Sequence, residues 1–213
     1  MAQIDFDAEK HEYRVDGVKY PSVTDILEHL TAVGYGKVDK WILESAKERG
    51  SYIHETTQDI DLGIDPEEIS DEYVGYIKAY LAFLEDYEPE WDGVEEQFFC
   101  KEYGYCGTID RIGKIDEFPC VLDIKTTASP TTEQKIAVCC QTAAYAVGIG
   151  AQSADRYALY LHKDGTYDLL DCLDYEVQKG FDGASIFLRL ATLHRQIESI
   201  KKRRAKKTKE VWE

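Results

Sequence analysis

The chain has 213 residues, 41 acidic against 25 basic, a formal net charge of −16 and 44% apolar side chains. This composition suits one folded domain with a sizeable core and excludes a disordered polymer. No apolar run approaches the ~18 residues that span a bilayer, and Met-Ala-Gln-Ile-Asp-Phe-Asp at the start is no signal peptide, so a cytoplasmic, membrane-free protein is expected. Its six cysteines, none in a Cys-x-x-Cys pair, then read as reduced thiols rather than a disulfide framework or a zinc ribbon.

In chain order, Ile4–Phe6, Glu12–Val15 and Val18–Tyr20 alternate as strands do, with an Asp16-Gly17 turn between the last two. Pro21-Ser22-Val-Thr-Asp25-Ile-Leu-Glu-His-Leu30 predicts a helix capped by Ser22, broken by Gly34-Tyr-Gly36. A second helix is expected from Asp39 through Ile60, ending near Gly63, with Gly50 inside it where something approaches closely. Pro66-Glu-Glu predicts the start of a third, whose Tyr73, Tyr76, Ile77, Tyr80, Leu81 and Leu84 recur at core-facing spacing.

Three strands follow at Val94–Lys101, Tyr105–Ile115 and Cys120–Thr126, then a helix over Thr132–Val147 ending at Gly148. Arg156–Leu161 and Thr166–Leu170 read as two more strands about a Lys163-Asp-Gly165 turn, and one long amphipathic helix from near Tyr175 closes the chain. The order is that of an α+β or mixed α/β fold, a central sheet flanked by helices. Lys201–Lys209 holds seven of the 25 basic residues, leaving a net of −23 elsewhere. It reads equally as a solvated helix end or as an arm that contacts phosphate.

The chemistry concentrates in Gly107-Thr-Ile-Asp110-Arg111 and Cys120-Val-Leu-Asp123-Ile124-Lys125-Thr-Thr. A turn over Asp116–Pro119, centred between Glu117 and Phe118, sets Asp110 opposite Lys125 and Ile112 opposite Asp123. Opposed residues share a face, so Asp110, Asp123 and Lys125 converge on one side of the sheet. Two carboxylates and the Ile124 carbonyl are hard oxygen ligands for Mg²⁺ or Mn²⁺. Beside them, Lys125 can orient a water and stabilise charge growing on a phosphate.

Taken with Arg49-Gly-x-x-x-His54 upstream and Gln141-Thr-Ala-Ala-Tyr145 downstream, these segments make the chain resemble the PD-(D/E)xK nuclease superfamily, in particular its RecB-like exonuclease branch. Pro21-Ser-Val-Thr-Asp-Ile-Leu27 is similar to the N-terminal helix of phage and mitochondrial exonucleases of that kind, and the likeness runs from about residue 14 to 160. The resemblance implies a restriction-endonuclease-like mixed sheet in one nuclease domain. Residues 1–90 form its N-terminal hairpin and helices, 91–200 its catalytic core, and 201–213 a basic tail.

It further implies that His54 joins Asp110, Asp123 and the Ile124 carbonyl as metal ligands, that Lys125 is the catalytic lysine, and that Gln141 and Tyr145 line the site. A strand glutamate also contributes in the family; Glu95 and Glu96 are both candidates, and spacing to Gly107 favours Glu95. Arg49 and Arg111 either touch phosphate or pair with nearby acids. Some relatives hold an iron–sulfur cluster on one cysteine before the core and three after it. Here no cysteine precedes Cys100 and only Cys172 follows Cys140, so no such cluster is expected.

The expected activity is Mg²⁺- or Mn²⁺-dependent hydrolysis of DNA, an exonuclease acting at single- or double-stranded ends in recombination, repair or phage replication. The alternative is a catalytically inactive DNA- or protein-binding module on the same fold. The net charge points to help in holding DNA: a homo-oligomer that gathers the basic residues, or a single-strand-binding or annealing partner.

Overall fold

The computed structural model describes residues 3–8, 10–31, 39–66, 68–127 and 129–212, with backbone alone at residues 29, 31, 40 and 205–212. The expected break at Gly34-Tyr-Gly36 lies outside the described residues. Three short strands, β1 (Ile4–Asp7), β2 (Glu12–Val15) and β3 (Val18–Tyr20), form an antiparallel sheet in that order. Asp16 and Gly17 between β2 and β3 both have positive φ, as the Asp-Gly signal requires.

Helix α1 (Val23–Thr31) follows directly. The Ser22 hydroxyl accepts from the Asp25 amide and the Asp25 carboxylate accepts from the Ser22 amide, both at 2.9 Å, so the cap is reciprocal. Helix α2 (Lys40–Asp61) ends just before Gly63, as expected. Helix α3 (Val74–Tyr87) does not begin at Pro66. Residues 66–72 are acidic and carry one apolar side chain, Ile69, so no apolar stripe exists there to pin a helix. Tyr76, Ile77, Ala79, Tyr80 and Phe83 are the residues α3 buries; Leu81, expected inside, is 47% exposed.

The main sheet is mixed, in the order β4 (Glu90–Cys100), β5 (Tyr105–Ile115), β6 (Phe118–Lys125), β7 (Asp155–Leu161) and β8 (Tyr167–Asp171). Only β6 and β7 are parallel, joined by the crossover helix α4 (Thr132–Gly148), whose start is a Thr131/Gln134 capping box. The expected long terminal helix is two: α5 (Cys172–Lys179) and α6 (Gly183–Trp212). Gly180, at φ +71°, turns the chain between them, and Asp182 recaps by accepting from the Ser185 amide at 2.7 Å.

Helices α1, α4 and α6 cover one face of the sheet through Ile26, Val121, Cys140, Ala144 and Phe187. The other face packs Ile53 of α2 and Tyr80 and Phe83 of α3 on Leu122, Ile124 and Leu159. All six cysteines are buried. Among the described residues no helix is long and apolar enough to cross a membrane.

The β5–β6 hairpin corrects the expected register. Ile115 pairs with Phe118 and Arg111 with Leu122, so the turn is the two residues Asp116 and Glu117, both in the left-handed region at φ +50° and +67°. Asp110 is thus level with Asp123, not Lys125. The displacement is two residues, which leaves every side chain on its expected face.

Arg111, fully buried, locks α2 and α3 to this hairpin. Its guanidinium bonds the Asp61 carboxylate, the Thr57 hydroxyl at 3.1 Å and the Asp110 carbonyl at 2.7 Å, and Tyr80 donates to Asp61 at 2.5 Å. Removing Asp61 strands a buried cation, so Asp61→Ala should cost about 3–5 kcal/mol in urea unfolding. Loss of the exposed Lys10–Asp7 pair through Asp7→Ala should cost far less, because solvent already screens it. Equal costs for the two variants would overturn this account of Arg111.

Candidate metal centre

Strands β5 and β6 pair only as far as Arg111 and Leu122. Beyond that point β6 keeps its parallel neighbour, Asp123 to Lys125 pairing with Ala158 to Tyr160 of β7, but loses β5. The Ile124 peptide therefore has an unmatched edge, and buried backbone groups must be satisfied. The Asp110 carboxylate accepts from the Ile124 amide at 2.6 Å, and His54 Nε2 lies 3.2 Å from the Ile124 carbonyl oxygen. Two predicted site residues thus fill the fork in place of strand pairing.

On the far side of β5, Glu95 sits level with Asp110 and adopts φ +52°, a left-handed conformation inside a strand. Such a conformation costs a non-glycine residue of order 1–3 kcal/mol and gathers at functional sites. It turns the Glu95 carboxylate to within 3.3 Å of His54 Nδ1, which is also 3.6 Å from Asp110. The structure thereby separates Glu95 from Glu96. One ligand atom each from His54, Glu95 and Asp110 lies within 4.8 Å of the others, a spacing that suits one divalent cation.

Asp123 stands beside this trio in the same cleft, which has a volume near 390 Å³. It is 1% exposed, and its Oδ2 has no aligned hydrogen-bond donor although Lys125 Nζ is 2.7 Å away, an ion pair without good hydrogen-bond direction. A buried carboxylate oxygen in that condition, next to a His/Glu/Asp trio and a turned-in peptide carbonyl, is the donor set a hard cation takes up. The residues fit a hard divalent cation, and among the described residues no cysteine belongs to the cluster.

Lys125 also donates to Gln141 Oε1 at 3.2 Å, and Gln141 Nε2 donates to the Tyr145 hydroxyl at 2.6 Å. The expected pair on α4 is thus a relay that runs from the protein interior to the lysine. Because the lysine can only donate, it fixes which way the Gln141 amide faces. Burial holds the Tyr145 hydroxyl well above its ordinary pKa, so it stays a neutral phenol.

Of the two arginines left open by the sequence, Arg111 is buried and pairs with acids, its guanidinium also 3.6 Å from the Glu95 carboxylate, while Arg49 donates to the Thr126 hydroxyl at 3.2 Å. Gly50 and Gly107 act differently. A Cβ on Gly107 would come 2.7 Å from the Phe98 ring, whereas one on Gly50 would meet nothing within 4 Å and would project into open cleft. The rest of the cleft wall escaped the sequence reading: Tyr13, bonded to Thr108 at 2.7 Å, and Lys47, Ser51 and Thr24. Only the spacing of Lys47, Ser51 and His54 on one helix face signalled any of it.

No family model and no curated protein matches the chain. Among solved structures, the alkaline exonuclease of Laribacter hongkongensis is similar at 14% identity and a TM-score of 0.40, over 88% of this chain and 94% of that one. The protein SSO0001 is similar at 18% identity and a TM-score of 0.31, over 69% of each chain. Both likenesses are distant.

The electrostatics of the cleft carry a prediction. Both ring nitrogens of His54 face acceptors, so the ring holds both protons. Burial opposes that charge, but Asp110, the bond to Glu95, and Asp123 outweigh it and lift His54 to about 9. Burial likewise pushes Asp123 up, to about 6, against the pull of Lys125. With the folded pKa of His54 above its ordinary 6.5, its stabilising charge is fully present below pH 6.5 and lost as pH rises through about 9. In EDTA, stability should fall across this window by up to about 1.4 kcal/mol per pH unit, and His54→Ala should flatten the slope. Calorimetric Tm values against pH test this; an equally steep fall in the variant would refute it.

Proposed function

We propose that the chain is a divalent-cation-dependent nuclease of the PD-(D/E)xK type that hydrolyses phosphodiester bonds in DNA, working as an exonuclease from ends. What carries the reading is the convergence of His54, Glu95 and Asp110 with the Asp123–Lys125–Gln141–Tyr145 relay at one strand fork, in one cleft.

His54, Glu95 and Asp110 would hold the cation, with the Ile124 carbonyl and the Asp123 carboxylate beside them. When bound, Mg²⁺ or Mn²⁺ supplies charge neutralisation at the phosphate and a lowered pKa for water. Lys125 places an ammonium at the mouth of the same carboxylate cluster, held there by Asp123 and Gln141. As the phosphorus takes on a fifth oxygen, that ammonium stabilises the growing negative charge and keeps the attacking water oriented. Gln141, itself bonded to Tyr145, gives Lys125 a second partner and so fixes the ammonium between Gln141 and Asp123. The buried wall formed by Tyr13, Thr108 and α1 limits bulk water, which strengthens each of these charges.

The test is digestion of end-labelled DNA with each metal. Lys125→Ala and Asp123→Ala should each lower nucleotide release by about 10²-fold or more with the thermal transition retained. Glu95→Gln should weaken the response to cation while still saturating at higher metal. Full hydrolysis by either of the first two variants would sink the assignment.

A further inference from the structure

A second cleft, near 910 Å³, lies across the first turn of α1 from the metal centre. Tyr20 and Pro21 line it on one side of that turn, while Ser22 and Thr24 line the metal cleft on the other. Its opposite wall is one stripe of α6, with Ala191, Arg195, Ser199, Lys202 and Arg203 at helical spacing, and its end is the β4–β5 turn with Lys101 and Tyr103.

The charges in this groove are unequal in what they already hold. Of the acids, Asp25 accepts from the Ser22 amide, Glu198 pairs with Lys201 at 2.7 Å, Glu102 is hydrogen-bonded to the Tyr103 hydroxyl, and Glu28 has a partner of its own. Lys101, Arg195, Lys202 and Arg203 are exposed, and among the described residues none of them makes a side-chain hydrogen bond or ion pair. Four exposed cations, of which only Lys202 feels the field of Glu198, on a body whose net charge is −16 mark a place for a polyanion. The half-buried rings of Tyr20 and Tyr103 line the same groove. A cationic track with aromatic platforms is the chemistry that holds single-stranded nucleic acid, phosphates on the cations and bases on the rings.

We propose that this groove carries the single strand of a nucleic acid over the first turn of α1, to or from the metal cleft. The proposal rests on the nuclease reading and names its substrate form: the strand is unpaired where it crosses the protein. An acidic peptide shares the attraction to the cations but gains nothing from the flat rings.

Binding of a short fluorescent oligothymidylate is measured by anisotropy in EDTA, where no hydrolysis occurs, over a range of salt. The triple variant Arg195→Gln, Lys202→Gln, Arg203→Gln should lower the slope of log affinity against log salt by about 2, at about 0.7 for each phosphate no longer neutralised. Tyr103→Leu should weaken binding several-fold with the slope unchanged, because stacking is neutral. An unchanged slope in the triple variant overturns the proposal, as does poly-glutamate displacing the oligonucleotide at equal charge concentration. Failure of the unaltered protein to hydrolyse a small nucleotide ester with Mn²⁺ would remove the nuclease reading, while the anisotropy result would still decide whether a strand lies in the groove.

Discussion

The separation of β5 from β6 beyond the Arg111–Leu122 pair is the constraint on which the rest depends. An open hairpin exposes the Ile124 amide and carbonyl inside the protein, where an unmet peptide group costs about 1–3 kcal/mol. Asp110 and His54 meet that demand, and in doing so they are brought to the same few ångströms. Glu95 reaches them only by taking a left-handed backbone in mid-strand. Three acids in one partly dry cleft repel one another and raise the proton affinity of their neighbours, as His54 shows and as Asp123 shows even against the pull of Lys125. A protonated imidazole relieves that tension weakly, and a divalent cation would relieve it more strongly. The local strain therefore fits a site organised for a metal more than one organised for its own stability.

Positioning comes from parts that hold no ligand. Arg111, buried against α2 and α3, fixes the helix that carries His54 relative to the strand that carries Asp110. On the opposite face, Arg156 makes two 2.9 Å bonds to Glu176 and a third to the Cys139 carbonyl at 3.0 Å, which ties α4, and so Gln141 and Tyr145, to β7. Each guanidinium sits between a strand of the site and a helix of the site. Rigid buried forks of this kind hold geometry more tightly than apolar packing alone, which tolerates sliding.

What the sequence made legible was parity. Alternation along Gly107–Arg111 and Cys120–Lys125 was enough to put Asp110, Asp123 and Lys125 on one face, and a two-residue error in register could not change that. The error arose because Asp116-Glu117 makes a primed turn without glycine, and glutamate in the left-handed region has no sequence signature. The Gly180 break was written in the chain, yet the apolar periodicity on either side runs through it and suggested one helix. Spacing only favoured Glu95 over Glu96, because strand parity assumes a regular backbone and the site uses an irregular one. The Asp61–Arg111–Thr57 network left no trace, since its members are 50 residues or more apart or sit on a helix face that looks merely polar.

The acidity of the chain takes on a different meaning once the charges are placed. At the metal centre, negative charge is concentrated where it attracts a cation and where, without one, it would repel a phosphate backbone. Nucleic acid should therefore be held poorly in the cleft until the cation is present, and a protein built this way needs a second grip that does not depend on metal. The exposed cations of α6 and the β4–β5 turn line the groove on the other side of the first turn of α1, set apart from the carboxylates of the cleft by that turn. On the proposed reading, separating the grip from the cutting site would let the strand be retained while the cleaved nucleotide, left among carboxylates, is repelled. On that argument the net charge of −16 is no obstacle to a nucleic-acid substrate.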